Sequence, residues 1–326
     1  MKAILINESG PVENVSLADV DDVSSPGKEE VVVRVRAAGL NRADILQRLG
    51  RYPAPSGYPQ KIPGLEFSGV VESLGEEVRS VSIGSRVMGM IPGGAQAERL
   101  VIDASLLIPI PDSLSFEEAA AIPEAFITAF DALILQAGLV AGESVLIHAV
   151  GSGVGLAGVQ IANSIGAHVY GSSRSREKLS RAVEFGLTES LLIDEKNQFA
   201  EKINISTGGV DVILDLVGGS YLNENIDALK PNGRLMLVGL TGGTKAEIDL
   251  SSVLSKRLVL KGTVLRSRTL SERIDLIHRF NQAVYPLLVS GKLMANLDKV
   301  YPADEIQAAH RRLENNENFG KIVITF

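Results

Sequence analysis

Apolar and polar positions change their rhythm along the chain, and the changes mark its organisation. In the first third, apolar residues come in short runs or alternate with polar ones. Residues 30–36 alternate over their second half, as a half-buried strand does, and 69–75 and 85–90 are similar. Pro53, Pro55, Gly57, Pro59, Pro63, Gly64, Pro92, Gly93 and Gly94 punctuate them. Pro lacks the N–H that a ladder needs, and Gly reaches turn conformations freely. The spacing therefore predicts short strands joined by turns, a small barrel-like β domain.

From residue 117 the period lengthens. Residues 117–136 predict a helix interrupted at Pro123. Strands at 144–149, 167–171, 189–193, 210–216, 234–239 and 258–264 then alternate with helices at 154–165, 175–185, 196–206 and 221–229. Such alternation builds parallel βαβ units, so the fold class is α/β, with a six-stranded doubly wound (Rossmann) domain. Helices are expected at 270–288 and 303–315, and a strand at 321–324. That last strand has no partner in the doubly wound series and is expected to rejoin the β-rich domain. The predicted domains are 1–123 with 267–326, and 124–266 inserted between them. No internal repeat is visible.

Composition narrows the function classes. The chain has 326 residues, 45% hydrophobic and 22% charged, which suits two ordinary globular domains. A net charge of −7 counts against a nucleic-acid binder, which needs a basic surplus. With no cysteine, disulfides, thiol catalysis, iron–sulfur clusters and Cys-rich zinc sites are excluded. His148, His168, His278 and His310 form no ligand pair, so no metal site is expected. Residues 144–173 carry no Asp, Glu, Lys or Arg, as a membrane span would, but their glycines at turn spacing split them into strand, loop, helix and strand. The N-terminus soon turns polar without a signal-peptide apolar region. A cytoplasmic protein with no membrane partner is expected.

The first strand of the α/β series runs into His148-Ala149-Val150-Gly151-Ser152-Gly153-Val154-Gly155 and then into a helix. Small residues let backbone approach a pyrophosphate, and a helix N-terminus offers N–H groups and a positive dipole end. The strict G-x-G-x-x-G is not met, because Leu156 takes its last place. A glycine cluster alone is weak evidence. Its place between strand and helix, at the head of a βαβ series, makes Gly151, Ser152, Gly153 and Val154 a candidate dinucleotide loop. An NAD site would carry an acid at the end of the second strand for the ribose hydroxyls. Here the chain reads Gly171-Ser172-Ser173-Arg174-Ser175-Arg176-Glu177-Lys178. Hydroxyls and cations suit a 2′-phosphate, since Arg and Lys make charge-assisted bonds to it. Ser173, Arg174 and Lys178 are thus candidates for binding NADPH, against the plain reading of a solvated helix start.

Several segments, in collinear order, carry a family resemblance. They are Ala38-Gly39-Leu40-Asn41-Arg42-Ala43-Asp44, Pro63-Gly64-Leu65-Glu66-Phe67-Ser68-Gly69, Ala121-Ile122-Pro123-Glu124-Ala125, Gly262-Thr263-Val264-Leu265-Arg266-Ser267-Arg268 and Asn318-Phe319-Gly320-Lys321-Ile322-Val323. Together they resemble the zinc-free quinone oxidoreductases of the medium-chain dehydrogenase/reductase superfamily. The last two are similar to the tumour-suppressor-inducible branch. The resemblance implies a GroES-like β-rich catalytic domain beside the Rossmann NADP-binding domain. It also implies no metal, because two ligand positions of the zinc enzymes look like Asn41 and Leu65.

Residue roles are implied in the same way. Asn41 and Tyr52 would lie beside nicotinamide and substrate and are the catalytic candidates. Thr128 would meet the nicotinamide ribose, and Ser152, Gly153 and Val154 the pyrophosphate. Ser173 and Lys178 would meet the 2′-phosphate. Val217, Gly239, Leu240, Leu265, Arg266 and Ser267 complete the cofactor set. Two departures stand out: Asp194 where many members have a Tyr in the segment 192–195, and Leu46 where bacterial relatives carry a second pocket Tyr. Plainer readings compete. Asn41 is a good N-cap for the helix that follows, Tyr52 could pack on Pro53 and Pro55, Asp44 could order its own helix, Glu66 could pair with an Arg, and His148 reads as a core histidine.

The expected activity is NADPH-dependent reduction of (ortho-)quinones by hydride or electron transfer, which needs an acceptor held close and little else from the protein. An NADPH-dependent enoyl or 2-alkenal C=C reductase is the alternative among enzymes, with Tyr52 delivering or organising the proton. A nucleotide-binding crystallin-like structural or RNA-binding protein is the alternative of another class. Within the family the expected partner is a second copy, a homodimer paired through the apolar edge 258–262.

Overall fold

The computed structural model describes residues 1–194 and 196–326. The chain falls into two units, Met1–Glu124 with Leu265–Phe326, and Ala125–Val264. The first unit begins with an antiparallel pair, β1 (Lys2–Ile6) and β2 (Val15–Asp19), which the sequence pattern did not single out. Strand β3 (Glu30–Leu40) runs four residues past its predicted end at 36. It is central to a seven-stranded sheet with β4 (Glu66–Leu74), β5 (Arg86–Met90), β6 (Arg99–Asp103) and β7 (Leu107–Pro109), each antiparallel to its neighbours. Helix α1 (Arg42–Arg48) leaves the end of β3.

The helix expected over 117–136 is broken before Pro123, as expected, and is three pieces: α2 (Phe116–Ala120), α3 (Pro123–Phe130) and a π-helical stretch at Asp131–Gln136. Pro123 has no N–H to give an α2 carbonyl, but its fixed φ suits the first position of α3.

The second unit is a wholly parallel sheet. Strands β8 (Ser144–Ile147), β9 (His168–Ser173), β10 (Glu189–Leu192), β11 (Val210–Asp215), β12 (Leu229–Leu237) and β13 (Val259–Gly262) lie in the order β10-β9-β8-β11-β12-β13. The order reverses between β8 and β11, the switch point at which doubly wound sheets bind ligands. Val145, Leu146, Ile147, Val212, Ile213 and Leu214 of the central strands are buried. Full burial explains their unbroken apolar runs, since a parallel sheet is covered on both faces.

The accompanying helices are α4 (Gly153–Ser164), α5 (Arg176–Ala182), α6 (Ala200–Thr207), α7 (Leu222–Ala228) and α8 (Leu250–Lys256). Helix α6 starts later than the expected 196. The Glu224 carboxylate accepts from the N–H groups of Phe199 and Ala200 at 2.6 and 2.8 Å, fixing the N-terminus there.

The chain then returns to the first unit through α9 (Leu270–Ala283), α10 (Tyr285–Val289), β14 (Leu297–Pro302), α11 (Ile306–Glu314) and β15 (Lys321–Thr325). The expected helix 270–288 is divided at Val284 because Pro286 cannot continue the ladder. Strand β15 lies between β14 and β3, antiparallel to β3, with Ile322 opposite Leu40. This register brings Lys321 beside the end of β3.

Candidate active site

The first unit gathers its acids where β3, β4, β15 and α1 meet. Gly39 makes room for one of them. A Cβ there would come within 2.7 Å of the Glu66 carboxyl carbon and 2.8 Å of the Ala120 carbonyl oxygen, so no larger residue fits. Glu66 is fully buried. It pairs with Lys321 at 2.5 Å and accepts from the Asn41 amide at 2.9 Å and the Glu124 backbone N–H at 2.8 Å. The sequence reading gave Glu66 an Arg as partner. The partner is Lys321, whose ammonium also donates to the Leu40 carbonyl at 2.7 Å and the Asn41 amide oxygen at 2.5 Å.

Asn41 precedes α1 as expected, and its backbone N–H donates to the Asp44 carboxylate at 2.8 Å. Its side-chain amide is turned to Glu66 and Lys321. Asp44 does more than order its own helix: it also accepts from the Gly64 N–H at 3.0 Å and the Gln96 amide at 3.3 Å. Burial pushes its carboxyl up to about 6, against the backbone N–H bonds and the nearby Lys321 and Arg266.

Tyr52 and Arg266 form a second group in this unit. The Arg266 guanidinium lies 4.8 Å from the Tyr52 ring centroid and donates to the carbonyls of Tyr52 and Pro92 and to Gln47 Oε1 at 2.5–2.8 Å. The Arg266 side chain thus ties the Pro-rich loop down, while the family resemblance implies a contact between the cofactor and the backbone at Leu265 to Ser267. Burial raises the Tyr52 phenol above its ordinary value, opposed by Arg266. Leu65, Met90, Ile91, Pro92, Glu124, Leu265, Arg266 and Arg273 line a small cavity here.

In the second unit, β8, β9, β11 and β12 are parallel, so the loops that follow them share one edge of the sheet. These loops hold Gly151–Val154, Ser173–Lys178, Val217 and Gly239–Leu240. Ser152 caps α4, its hydroxyl accepting from the Gly155 N–H at 3.0 Å. Gly155 is required by close approach: a Cβ would sit 2.6 and 2.8 Å from the carbonyl oxygens of Ala149 and Val150. Ala149 itself holds φ 48, a left-handed conformation that a residue with a Cβ rarely adopts. The aliphatic stem of Lys178 packs over Gly151, and the Ser173 hydroxyl accepts from the Ser175 N–H at 3.1 Å. A tight glycine turn ahead of a twelve-residue helix, with a lysine running over it, fits the diphosphate of a dinucleotide. Thr128 is buried on α3, and Leu240 is exposed. Asp194 is also exposed, and Glu195, the last residue of its segment, lies outside the described residues.

His148 is the core histidine that the sequence suggested. Its ring nitrogens lie 2.6 Å from Ser172 Oγ and 2.6 Å from Asn225 Oδ1, and Asn225 donates to Asp215 at 3.0 Å. Asp215 accepts from the N–H groups of Val217 and Gly218 at 2.7 and 2.9 Å. Burial lowers the His148 pKa, opposed by Asp215 and by the Asn225 bond. The chain Ser172–His148–Asn225–Asp215 thus braces the loop after β11 against the end of β9.

Sequence reasoning gave Glu124, Lys321 and Arg273 no part in the site. One signal was available for Glu124: it is the only charged residue between Glu118 and Asp131, inside the apolar run Ala119–Phe130.

Comparison with known proteins places this architecture. An alcohol dehydrogenase GroES-like domain model matches residues 27–112, and a zinc-binding dehydrogenase model matches 153–279. Among the described residues no group of three or more His, Asp and Glu is placed to hold a metal ion, and no helix is long and apolar enough to cross a membrane. A quinone oxidoreductase of Lama guanicoe is 31% identical over 329 residues, covering 99% of this chain and 97% of that protein. A synaptic vesicle membrane protein VAT-1 homolog of Danio rerio is 30% identical over 342 residues, covering 99% of this chain and 70% of its own. The crystal structure of CurK enoyl reductase superposes with a TM-score of 0.88 at 28% identity, covering 99% of this chain and 98% of the other. The chain belongs to the medium-chain dehydrogenase/reductase superfamily of nicotinamide-dependent oxidoreductases, in its zinc-free quinone oxidoreductase branch.

Proposed function

We propose that the protein is an NADPH-dependent quinone oxidoreductase that reduces ortho-quinones without a metal. The observation that carries the cofactor choice is the end of β9, where Ser173 stands in place of an acid and Lys178 runs from α5 over the phosphate turn at Gly151. An acid there would repel a 2′-phosphate; a hydroxyl and an ammonium favour it. When bound, the nicotinamide supplies a hydride. The residues of the chain bind, orient and exclude water. Asn41 is held by Glu66 and Lys321, and Tyr52 by Arg266, so both pocket candidates are fixed before any acceptor arrives. The likeness to the Lama guanicoe quinone oxidoreductase supports the acceptor class.

Reduction of an activated C=C is the second reading. It is favoured by the likeness to CurK enoyl reductase and by the half-buried Tyr52 phenol, a hydroxyl able to give or organise a proton. Steady-state oxidation of NADPH and of NADH, each with an ortho-quinone and with a 2-enal, separates the readings. Quinone-dependent loss of NADPH, much slower with NADH, is expected. Turnover of the enal alone would transfer the protein to the C=C reductases, and equal use of NADH would remove the role of Ser173 and Lys178.

A further inference from the structure

Donors around the buried acids of the first unit are unevenly shared. Asp44 takes two backbone N–H groups and the Gln96 amide. Glu66 takes Lys321, the Asn41 amide and the Glu124 N–H. The other donors of Lys321 go to Leu40 and Asn41, and Arg266 is committed to Pro92, Tyr52 and Gln47. Among the described residues nothing donates to the Glu124 carboxyl. Glu124 also lines the small cavity, and so does Arg273. Arg273 is only 7% exposed and gives one bond to the Tyr58 hydroxyl, while its Nε and Nη1 groups have no partner. The cavity has room for about one water, enough for a carbonyl oxygen and too small for a ring.

Glu124 is half-buried, and a partly desolvated carboxyl that no protein donor reaches holds its proton more tightly, because its anion is poorly compensated. The charged groups facing Glu124 do not reverse this. Burial is the main effect and Glu66 and Asp44 add to it, against Lys321 and Arg266, and the carboxyl is pushed up to about 8. A neutral acid at physiological pH, on a residue that lines a cavity, is the form that general-acid catalysis uses.

We propose that Glu124 is the acid that protonates the reduced acceptor, and that the unpaired N–H groups of Arg273 hold the acceptor's oxygen. The proposal rests on the oxidoreductase reading above. A bound reduced nicotinamide would supply the hydride, two electrons with one hydrogen, and would be left oxidised. The O–H bond of Glu124 breaks, and its proton goes to an oxygen of the quinone or to the α-carbon of an enone, which is thereby reduced. The carboxylate left behind regains a proton from water.

The test is Glu124→Gln, which keeps the shape and removes the acid. Wild-type kcat should fall as pH rises through about 8, where a proton donor is lost. The variant should lose roughly 100-fold or more in kcat, without that alkaline limb and with its KM for NADPH little changed. Glu124→Asp should recover part of the activity together with the limb. Arg273→Met should raise the KM for the acceptor and leave the limb in place. A second readout does not need turnover. The folded-state pKa is raised, so the native chain holds a proton that the unfolded chain releases, and stability should fall as pH rises from about 4.5 to about 8. Glu124→Gln should reduce that slope. Wild-type kcat and an unchanged limb in Glu124→Gln would overturn the proposal, as would an unchanged stability slope. A wild-type protein that turns over neither acceptor would overturn the functional reading instead, while the stability slope would still report whether Glu124 carries the proton.

Discussion

Lys321 spends its ammonium on three acceptors, the Glu66 carboxylate, the Leu40 carbonyl and the Asn41 amide oxygen, and is 4% exposed. It is therefore the counter-ion of a fully buried acid and the anchor of the Asn41 amide at once. Breaking a buried pair from one side strands the other charge, which costs about 3–5 kcal/mol. Lys321→Met should lower unfolding free energy by about that much in urea titration, and a loss below about 1 kcal/mol would mean that the pair is not what stabilises this corner of the fold. Tyr52 separates the two functional readings at the same scale. If its phenol gives or organises a proton at carbon, Tyr52→Phe should reduce kcat on a 2-enal far more than on a quinone, whose oxygens can take protons from elsewhere. Equal losses on both acceptors, measured side by side, would remove that role.

At the scale of elements, the loops at one edge of the parallel sheet would divide a bound cofactor between them. The β8 turn and the first turn of α4 suit the diphosphate, and the β9 end with α5 suits the 2′-phosphate. Charge-assisted bonds of this kind contribute about 1.5–3 kcal/mol. Lys178→Ala should therefore raise the KM for NADPH by roughly 10- to 100-fold with little effect on NADH, and similar effects on both cofactors would count against the assignment. The buried relay Ser172–His148–Asn225–Asp215 explains how one histidine serves two of these loops without touching a ligand. Its partners satisfy both ring nitrogens, so it need never be charged.

At the scale of the molecule, β13 ends the six-stranded sheet with Val259 49% and Leu260 37% exposed. An apolar edge with unpaired backbone groups invites another strand. A homodimer through this edge is expected, sedimenting at about twice 34.7 kDa. Leu260→Lys should shift it toward the monomer, and a wild-type monomer at micromolar concentration would refute the pairing.

What the sequence determined by itself was whatever depends on local pattern. Fully buried parallel strands announce themselves as apolar runs, and the glycine turn ahead of α4 is written in consecutive residues. The missing acid after β9 is equally plain, as is the lack of any cysteine. Collinear likeness to a known family then named the β-rich unit and supplied the pocket candidates. Short elements with little pattern, such as β1, β2, β6, β7 and α8, did not show, and the helix over 270–288 was drawn through Pro286. Only the tertiary structure decided the partnerships between distant residues. Lys321 meets Glu66 because β15 enters the sheet beside β3 in one register, and nothing near either residue in sequence encodes that meeting. Glu124 stands out in the sequence as a lone charge in an apolar run. That it lacks a donor follows only from where every other donor around it has gone, which is a property of the packed site and of no segment alone.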